Sequence, residues 1–382
     1  MSRFKSKHNA LLWSVVGFIA AMAHAYPSPA VGIRENPFKS RQNLLSPGAI
    51  VIEPLTAPFG SIAWRSLQNN RCRSMLTRGP DGSIYIGCRD NNLYAVSRKG
   101  TQRWSVGAKR DVDSKPTLGP NGNVFFGSDD GFFYGVSSKG KTLWKYSTGS
   151  VIQSSPAVTL SGRIYVGSRS NHLYALSPTG QVIWKYKTDG NVDGSPIVGP
   201  DSTVYISSEP GRLYAIRPDG VLKWKRSFQG DPKGRPILTP ESIICLVSGN
   251  RNLYCFEKSG GKLLWKRQFS SHISSNIVLT PEGRILIYSE DRGLIAFNAQ
   301  SVEVSNVVFP DTGKGHVSLG YNSRYVVTRD KGEVFVLDEY FRPLWRAPTR
   351  LIGNPVAPAV MDVNGSVWVS SNKGLFRLSP PL

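Results

Sequence analysis

Short runs of β-branched and aromatic residues recur along the chain, separated by clusters of Gly, Pro, Asn and Ser. One stretch shows the order of pieces: Ser155-Pro156-Ala157-Val158, Arg163-Ile164-Tyr165-Val166-Gly167, His172-Leu173-Tyr174-Ala175-Leu176 and Val182-Ile183-Trp184-Lys185-Tyr186. Between them stand Leu160-Ser161-Gly162, Ser168-Arg169-Ser170-Asn171 and Pro178-Thr179-Gly180. Apolar runs of four or five residues divided by turn formers predict an antiparallel meander of four strands, here A to D. No later stretch carries a helical period. Pro116, Pro156, Pro196 and Pro236 fall at strand A starts, where a missing N–H costs little.

The unit repeats. Trp64, Trp104, Trp144, Trp184, Trp224, Trp265 and Trp345 are spaced 40, 40, 40, 40, 41 and 80 residues apart, with Ser305 at the missed beat. A fixed period of this size means one supersecondary unit stacked many times. Eight A–B–C sets begin near residues 74, 114, 155, 195, 235, 275, 316 and 356, and the first D strand precedes the first A strand. The last C strand ends near the C-terminus with no D strand of its own. The orphan strand around Ile62–Leu67 can complete it, closing a ring. The expected fold is a single all-β domain, an eight-bladed β-propeller. Seven blades is the alternative if residues 305–344 do not form a full blade.

The junction Cys255-Phe256-Glu257-Lys258-Ser259-Gly260-Gly261-Lys262-Leu263-Leu264-Trp265 resembles the tryptophan-docking motif of quinoprotein propellers, Ala-x-Asp-x-x-Thr-Gly-Lys-x-x-Trp. Ala175 to Trp184 is a version one residue shorter. The resemblance covers roughly residues 60–380. It is to the PQQ-like repeat superfamily, which includes quinoprotein dehydrogenases and the BamB-type scaffolds of outer-membrane assembly. It implies that each of the seven Trp side chains docks between neighbouring blades, which suits one large aromatic per unit.

Residues 1–25 read as a secretory signal. Arg3, Lys5 and Lys7 precede a mostly apolar run from Leu11 to Ala23, too short to span a bilayer, and Ala23-His24-Ala25 matches a cleavage site. No Cys follows that site, which departs from the lipid-anchored BamB pattern. The expected location is periplasmic or secreted. Residues 26–60 form a Pro-rich lead-in, read as a linker, a strap on the propeller or a segment reaching a partner. The propeller is assigned to 61–382.

Four cysteines follow, Cys72, Cys88, Cys245 and Cys255, and an even count in an exported chain suggests disulfides. Cys72 and Cys88 come nearly opposite when the hairpin folds at Pro80-Asp81-Gly82. Cys245 and Cys255 lie on adjacent strands B and C, in a register expected to be diagonal. Buried thiols and a bridge are both open for them.

Without the signal, 44 Lys and Arg face 26 acids, a net charge of +18. Part of this follows the docking Trp: Arg65, Lys145, Lys185, Lys225, Lys266 and Arg346 lie on outer strands, where basic residues discourage sheet-to-sheet pairing. The rest bears on partners. Links from D to A and turns from B to C share one face of a propeller. That face is expected to carry Lys109, Arg110, Arg169, Lys233, Arg251, Arg292, Arg329 and Lys331 among acids such as Asp111, Asp129, Asp130, Asp189, Glu209, Asp291 and Asp330. Such a face suits an acidic envelope protein, or anionic glycan and lipid headgroups. No aromatic-interleaved recognition module for nucleic acid is present.

Candidate chemistry is sparse. Gly135-Val136-Ser137-Ser138-Lys139-Gly140-Lys141-Thr142 satisfies the P-loop string but spans a strand C and its turn, with no helix to follow. His172, His272 and His316 have no metal-ligand spacing. A quinoprotein enzyme usually needs insertions and, in the alcohol dehydrogenases, adjacent cysteines, and this chain has neither. The reading is a non-catalytic monomeric scaffold without cofactor or metal. It would bind an envelope protein, including outer-membrane assembly machinery. The alternatives are a basic binder of anionic glycan or lipopolysaccharide, and a quinone-dependent enzyme.

Overall fold

A computed structural model describes residues 50–51, 59–67, 72–274, 276–309, 311–347 and 352–381, all within the unit Leu44–Leu382. The signal segment and most of the lead-in lie outside the described residues. Eight four-stranded antiparallel sheets form a ring. Blades one to eight begin with strands A at Thr77–Arg78, Thr117–Leu118, Ala157–Val158, Ile197–Val198, Pro232–Leu238, Val278–Leu279, Gly315–Leu319 and Val360–Met361. Among the described residues there is no α-helix, only a three-residue 3-10 turn at Asp330–Gly332.

Strands A line the axis. Their side chains and amides bond from one blade to the next, as from Lys115 N–H to Ser155 Oγ (3.2 Å) and from Ser155 N–H to Ser195 Oγ (3.0 Å). Strands B and C sit between two neighbouring sheets, and nearly every residue in them is buried, as in Ile164–Ser168 and Leu173–Leu176. Strands D are outermost and alternate between exposed and half-buried positions, as in Val182–Lys187.

Five of the docking Trp side chains join two blades by the same hydrogen bond. The indole N–H of Trp104, Trp144, Trp184, Trp224 and Trp265 donates to the carbonyl of Ser138, Pro178, Pro218, Lys258 and Ala299, respectively, at 2.9–3.0 Å. The acceptor is always in the C–D turn of the following blade. Within its own blade the ring packs on the strand B aromatic: Tyr85, Phe125, Tyr165 and Tyr205 lie 5.6–5.9 Å from Trp104, Trp144, Trp184 and Trp224. The turns that meet Trp104, Trp144, Trp184 and Trp224 supply a Gly there, whereas the turn that meets Trp265 has Ser301 at φ +67°; a Cβ at Gly180 would lie 2.5 Å from the Trp144 ring, and Gly180 holds φ +82°. Gly135 also serves packing, since a Cβ there would meet Trp144 at 2.3 Å. The P-loop string is thus strand, turn and strand.

Residues 305–344 contribute to a complete blade seven, Gly315–Leu319, Tyr325–Arg329, Glu333–Leu337 and Pro343–Arg346. Blade eight has three strands of its own and takes its fourth, Ser61–Ser66, from the other end of the chain; Ser61 pairs with Ser379 and Trp64 with Arg377. Two pieces of the lead-in lie on outer strands. Ile50–Val51 runs parallel to Glu303–Val308 of blade six, and Phe59 bridges to Arg346 of blade seven. Gly60 N–H donates to the Arg346 carbonyl (2.8 Å), and a Cβ on Gly60 would meet the Trp345 ring at 2.8 Å. Gly60 therefore fills, for Trp345, the place the turn Gly fills elsewhere.

Disulfides join Cys72 to Cys88 and Cys245 to Cys255. The diagonal register expected for the second pair is corrected: Cys245 stands directly opposite Cys255. The pair replaces the Tyr–Ala pair of its siblings, as Tyr165 opposite Ala175, beneath the docking Trp265.

Candidate functional site

The D–A links and B–C turns meet on one face, held by a repeated backbone bond. The turn amides of Asp129, Arg169, Glu209, Glu290 and Asp330 donate to the carbonyls of Asp111, Val151, Asn191, His272 and Lys314 at 2.9–3.0 Å. A rigid collar results, and charged side chains project from it.

The eight basic residues expected there divide in two. Arg169 is exposed but grips Asp193 through Nε and Nη2 (2.9 Å each). Arg292 pairs with Glu303 at 2.6 Å, and Lys331 with Asp311 at 3.0 Å. Arg329 is corrected outright, since it is a core residue, 1% exposed. Its guanidinium bonds the Tyr288 hydroxyl (2.8 Å), Asp311 (2.6 Å) and Glu333 (2.5 Å) and lies 4.7 Å from the Phe309 ring centre. Burial alone would raise Asp311; bonds from Arg329 and Lys331 outweigh it and hold the carboxyl below its usual range. Glu333, more enclosed, is pushed up by burial despite Arg329.

Lys109, Arg110, Lys233 and Arg251 remain exposed and have no ion-pair partner among the described residues. They form two patches three blades apart: Lys109 and Arg110 in the link into blade two, Lys233 and Arg251 on blade five. The Arg251 guanidinium is steadied by the Ser270 carbonyl (2.5 Å). Acids beside the first patch are engaged. Asp130 accepts from Tyr134 OH (2.7 Å) and from the Lys109 amide (2.9 Å). Burial pushes the Asp129 carboxyl up, with Asp113 nearby adding to it. Exposed ion pairs such as Arg89–Asp113 (3.1 Å) contribute at most about 1 kcal/mol each. The face offers anchored charge of both signs, suited to orienting a partner.

The three histidines do not come together. His172 Nδ1 bonds the Ser170 carbonyl (2.7 Å), His272 is exposed, and His316 lies on the axial strand of blade seven. Among the described residues no group of three or more His, Cys, Asp or Glu is placed to hold a metal. Lys115 and Arg235, placed by the sequence at strand A starts but not among the candidate site residues, stand at the axial strands. The signal for them was present: Lys115-Pro116, Ser155-Pro156, Ser195-Pro196 and Arg235-Pro236 occupy one repeat position.

Ring, blade count and docking tryptophans define a propeller of the PQQ-like repeat class. The family model described as "Outer membrane protein assembly factor BamB" matches residues 51–244 and 211–338, and the chain belongs to this family. Among solved structures, BamB from Moraxella catarrhalis matches with a TM-score of 0.62 at 17% identity, covering 82% of this chain and 95% of that one. The computationally designed Ika8 protein matches with a TM-score of 0.71 at 13% identity, covering 84% of this chain and all of the other. At these identities the likeness is one of fold. No curated protein matches the chain.

Proposed function

We propose that the protein is a non-catalytic scaffold of the bacterial envelope that docks another envelope protein on the face of D–A links and B–C turns. The observation that carries this reading is the sorting of charge on that face: Arg169, Arg292 and Lys331 are neutralised in place, while Lys109, Arg110, Lys233 and Arg251 stay exposed with no ion-pair partner among the described residues. Fixed, separated charges on a rigid ring give orientation and encounter rate more than raw affinity. Family membership supports a partner in outer-membrane assembly. Both disulfides suit an oxidising compartment.

The net charge favours a second reading, a surface that gathers anionic glycan or lipopolysaccharide. Crosslinking in the native envelope, followed by mass spectrometry at two salt concentrations, separates the two. One protein captured at both salts, and lost with Lys109→Glu/Arg110→Glu, is the result expected. Capture of polyanions alone, vanishing between about 50 and 200 mM salt, would overturn the scaffold reading.

A further inference from the structure

The axial strands hold an arrangement that partner docking does not use. In seven blades one side chain occupies the same register position, two residues before the strand A residue that pairs with the strand B position held by Tyr85, Phe125, Tyr165 and Tyr205 in blades one to four. In blades two to five these are Lys115, Ser155, Ser195 and Arg235. The sequence Lys–Ser–Ser–Arg therefore covers four consecutive blades, half the ring. Blades one, six and seven place Met75, Asn276 and His316 there, so no carboxylate opposes the cations at these positions.

Each group in the arc has a donor to spare. The hydroxyls of Ser155 and Ser195 accept from the amides of Lys115 and Ser155, and among the described residues their own protons have no acceptor. Lys115 Nζ and the Arg235 guanidinium have no hydrogen-bond or ion-pair partner among the described residues. Lys115 is half-buried and Arg235 is exposed. Burial holds the Lys115 ammonium below its ordinary value, and Arg235 across the channel adds to the effect. Burial alone lowers Arg235. Two like charges at one register position of the axial strands, with no ion-pair partner among the described residues, favour an anion between them.

We propose that the axial channel binds a small oxyanion, with Lys115 and Arg235 supplying charge and the Ser155 and Ser195 hydroxyls donating between them. The ligand chemistry is that of a phosphate or carboxylate group, held by charge-assisted hydrogen bonds. It differs from the outer face in kind: the face is mixed in sign, whereas the arc presents donors only.

Isothermal titration of the purified protein with inorganic phosphate, and separately with acetate, tests this at ionic strength held constant with chloride. Saturable binding of one anion at the wild-type protein is expected, and which one binds tells phosphate from carboxylate. Affinity should fall at least tenfold in Lys115→Gln and in Arg235→Gln and stay unchanged in Lys109→Gln, an exposed control. Thermal unfolding in anion-free, low-salt buffer keeps the test readable if a variant is perturbed. Either substitution should raise the midpoint by relieving repulsion. No saturable binding, equal binding by all variants, or a lowered midpoint in both channel variants would each overturn the proposal.

Discussion

The junctions from blade one through blade five and the junction between blades six and seven solve one problem in opposite ways. In the first group a strand D Trp reaches over a turn Gly of the next blade and bonds a turn carbonyl. At blade six the Trp is replaced by Ser305. The turn position where blades two to four have Gly140, Gly180 and Gly220 is then Phe341, which holds φ +64° and is 2% exposed. Phe341 is buried in the cluster joining both blades, 4.9 Å from Tyr325. Large and small have changed sides. A bulky residue pays a steric cost at positive φ that Gly avoids, and a filled interface offsets it. The Arg329 cluster adds a polar clasp at the same junction, which the regular blades lack. What a propeller needs between blades is a filled volume, and the Trp is one means of filling it.

The largest test removes a pin from the regular side. Trp224→Ala should lose about 4 kcal/mol, read from the denaturant midpoint, because a side chain only 6% exposed leaves a cavity behind. A loss under about 1 kcal/mol would end the claim that these junctions rest on the Trp.

The exchange itself can be reversed. Phe341→Gly should cost about 3 kcal/mol and Ser305→Trp about 2 kcal/mol through overpacking, yet the double variant should recover at least half of the sum. Strict additivity in that cycle would show that the two positions do not compensate.

Blade five offers an intermediate case, because its disulfide stands where siblings have an aromatic facing a small residue. Cys245→Tyr/Cys255→Ala should fold with its Trp265 docked. Reductant should lower wild-type stability more than the variant's, by about 2–3 kcal/mol, the contribution of the Cys245–Cys255 bridge. Equal sensitivity to reductant would assign that bridge no role in stability.

The smallest effect concerns the lead-in. Phe59 is 55% exposed and its ring centre lies 4.2 Å from the Arg346 guanidinium. Phe59→Ala should cost about 1 kcal/mol and leave the regular arc untouched, as hydrogen exchange on blades two to four would report.

Blade number, strand order and ring closure were legible because they follow from local patterns repeated eight times. Errors arose where one residue of register decides the answer. Arg329 reads as a turn residue beside Asp330, yet it pairs with Glu333 as the last residue of strand B. That is the position of Ser128, Ser168, Ser208, Ser248 and Ser289 in the regular blades, all buried. Side chains alternate faces along a strand, so a slip of one converts a surface cation into a core one. Cys245 and Cys255 were misplaced for the same reason. The Ser305–Phe341 exchange was invisible for another: it is a relation between two departures from consensus, and neither has meaning without the other's position in space. The partners of the charged residues were not legible either, because Arg169–Asp193 and Arg329–Asp311 depend on how adjacent blades meet.

Ring closure also sets a schedule. Ser61 pairs with Ser379, so the first blade strand to be synthesised can only be matched by the last. Throughout synthesis, and any passage across a membrane, strand Ser61–Ser66 is an unpaired ribbon with an apolar side. Blade eight cannot form until strand Gly374–Ser379 is made, and every other blade can form before it. Loop closure over so long a separation is slow, and an open edge during that interval invites pairing with another chain. The completed molecule has the opposite property. Its first and last blade strands are fastened side by side in one sheet, so opening the ring must first break that join.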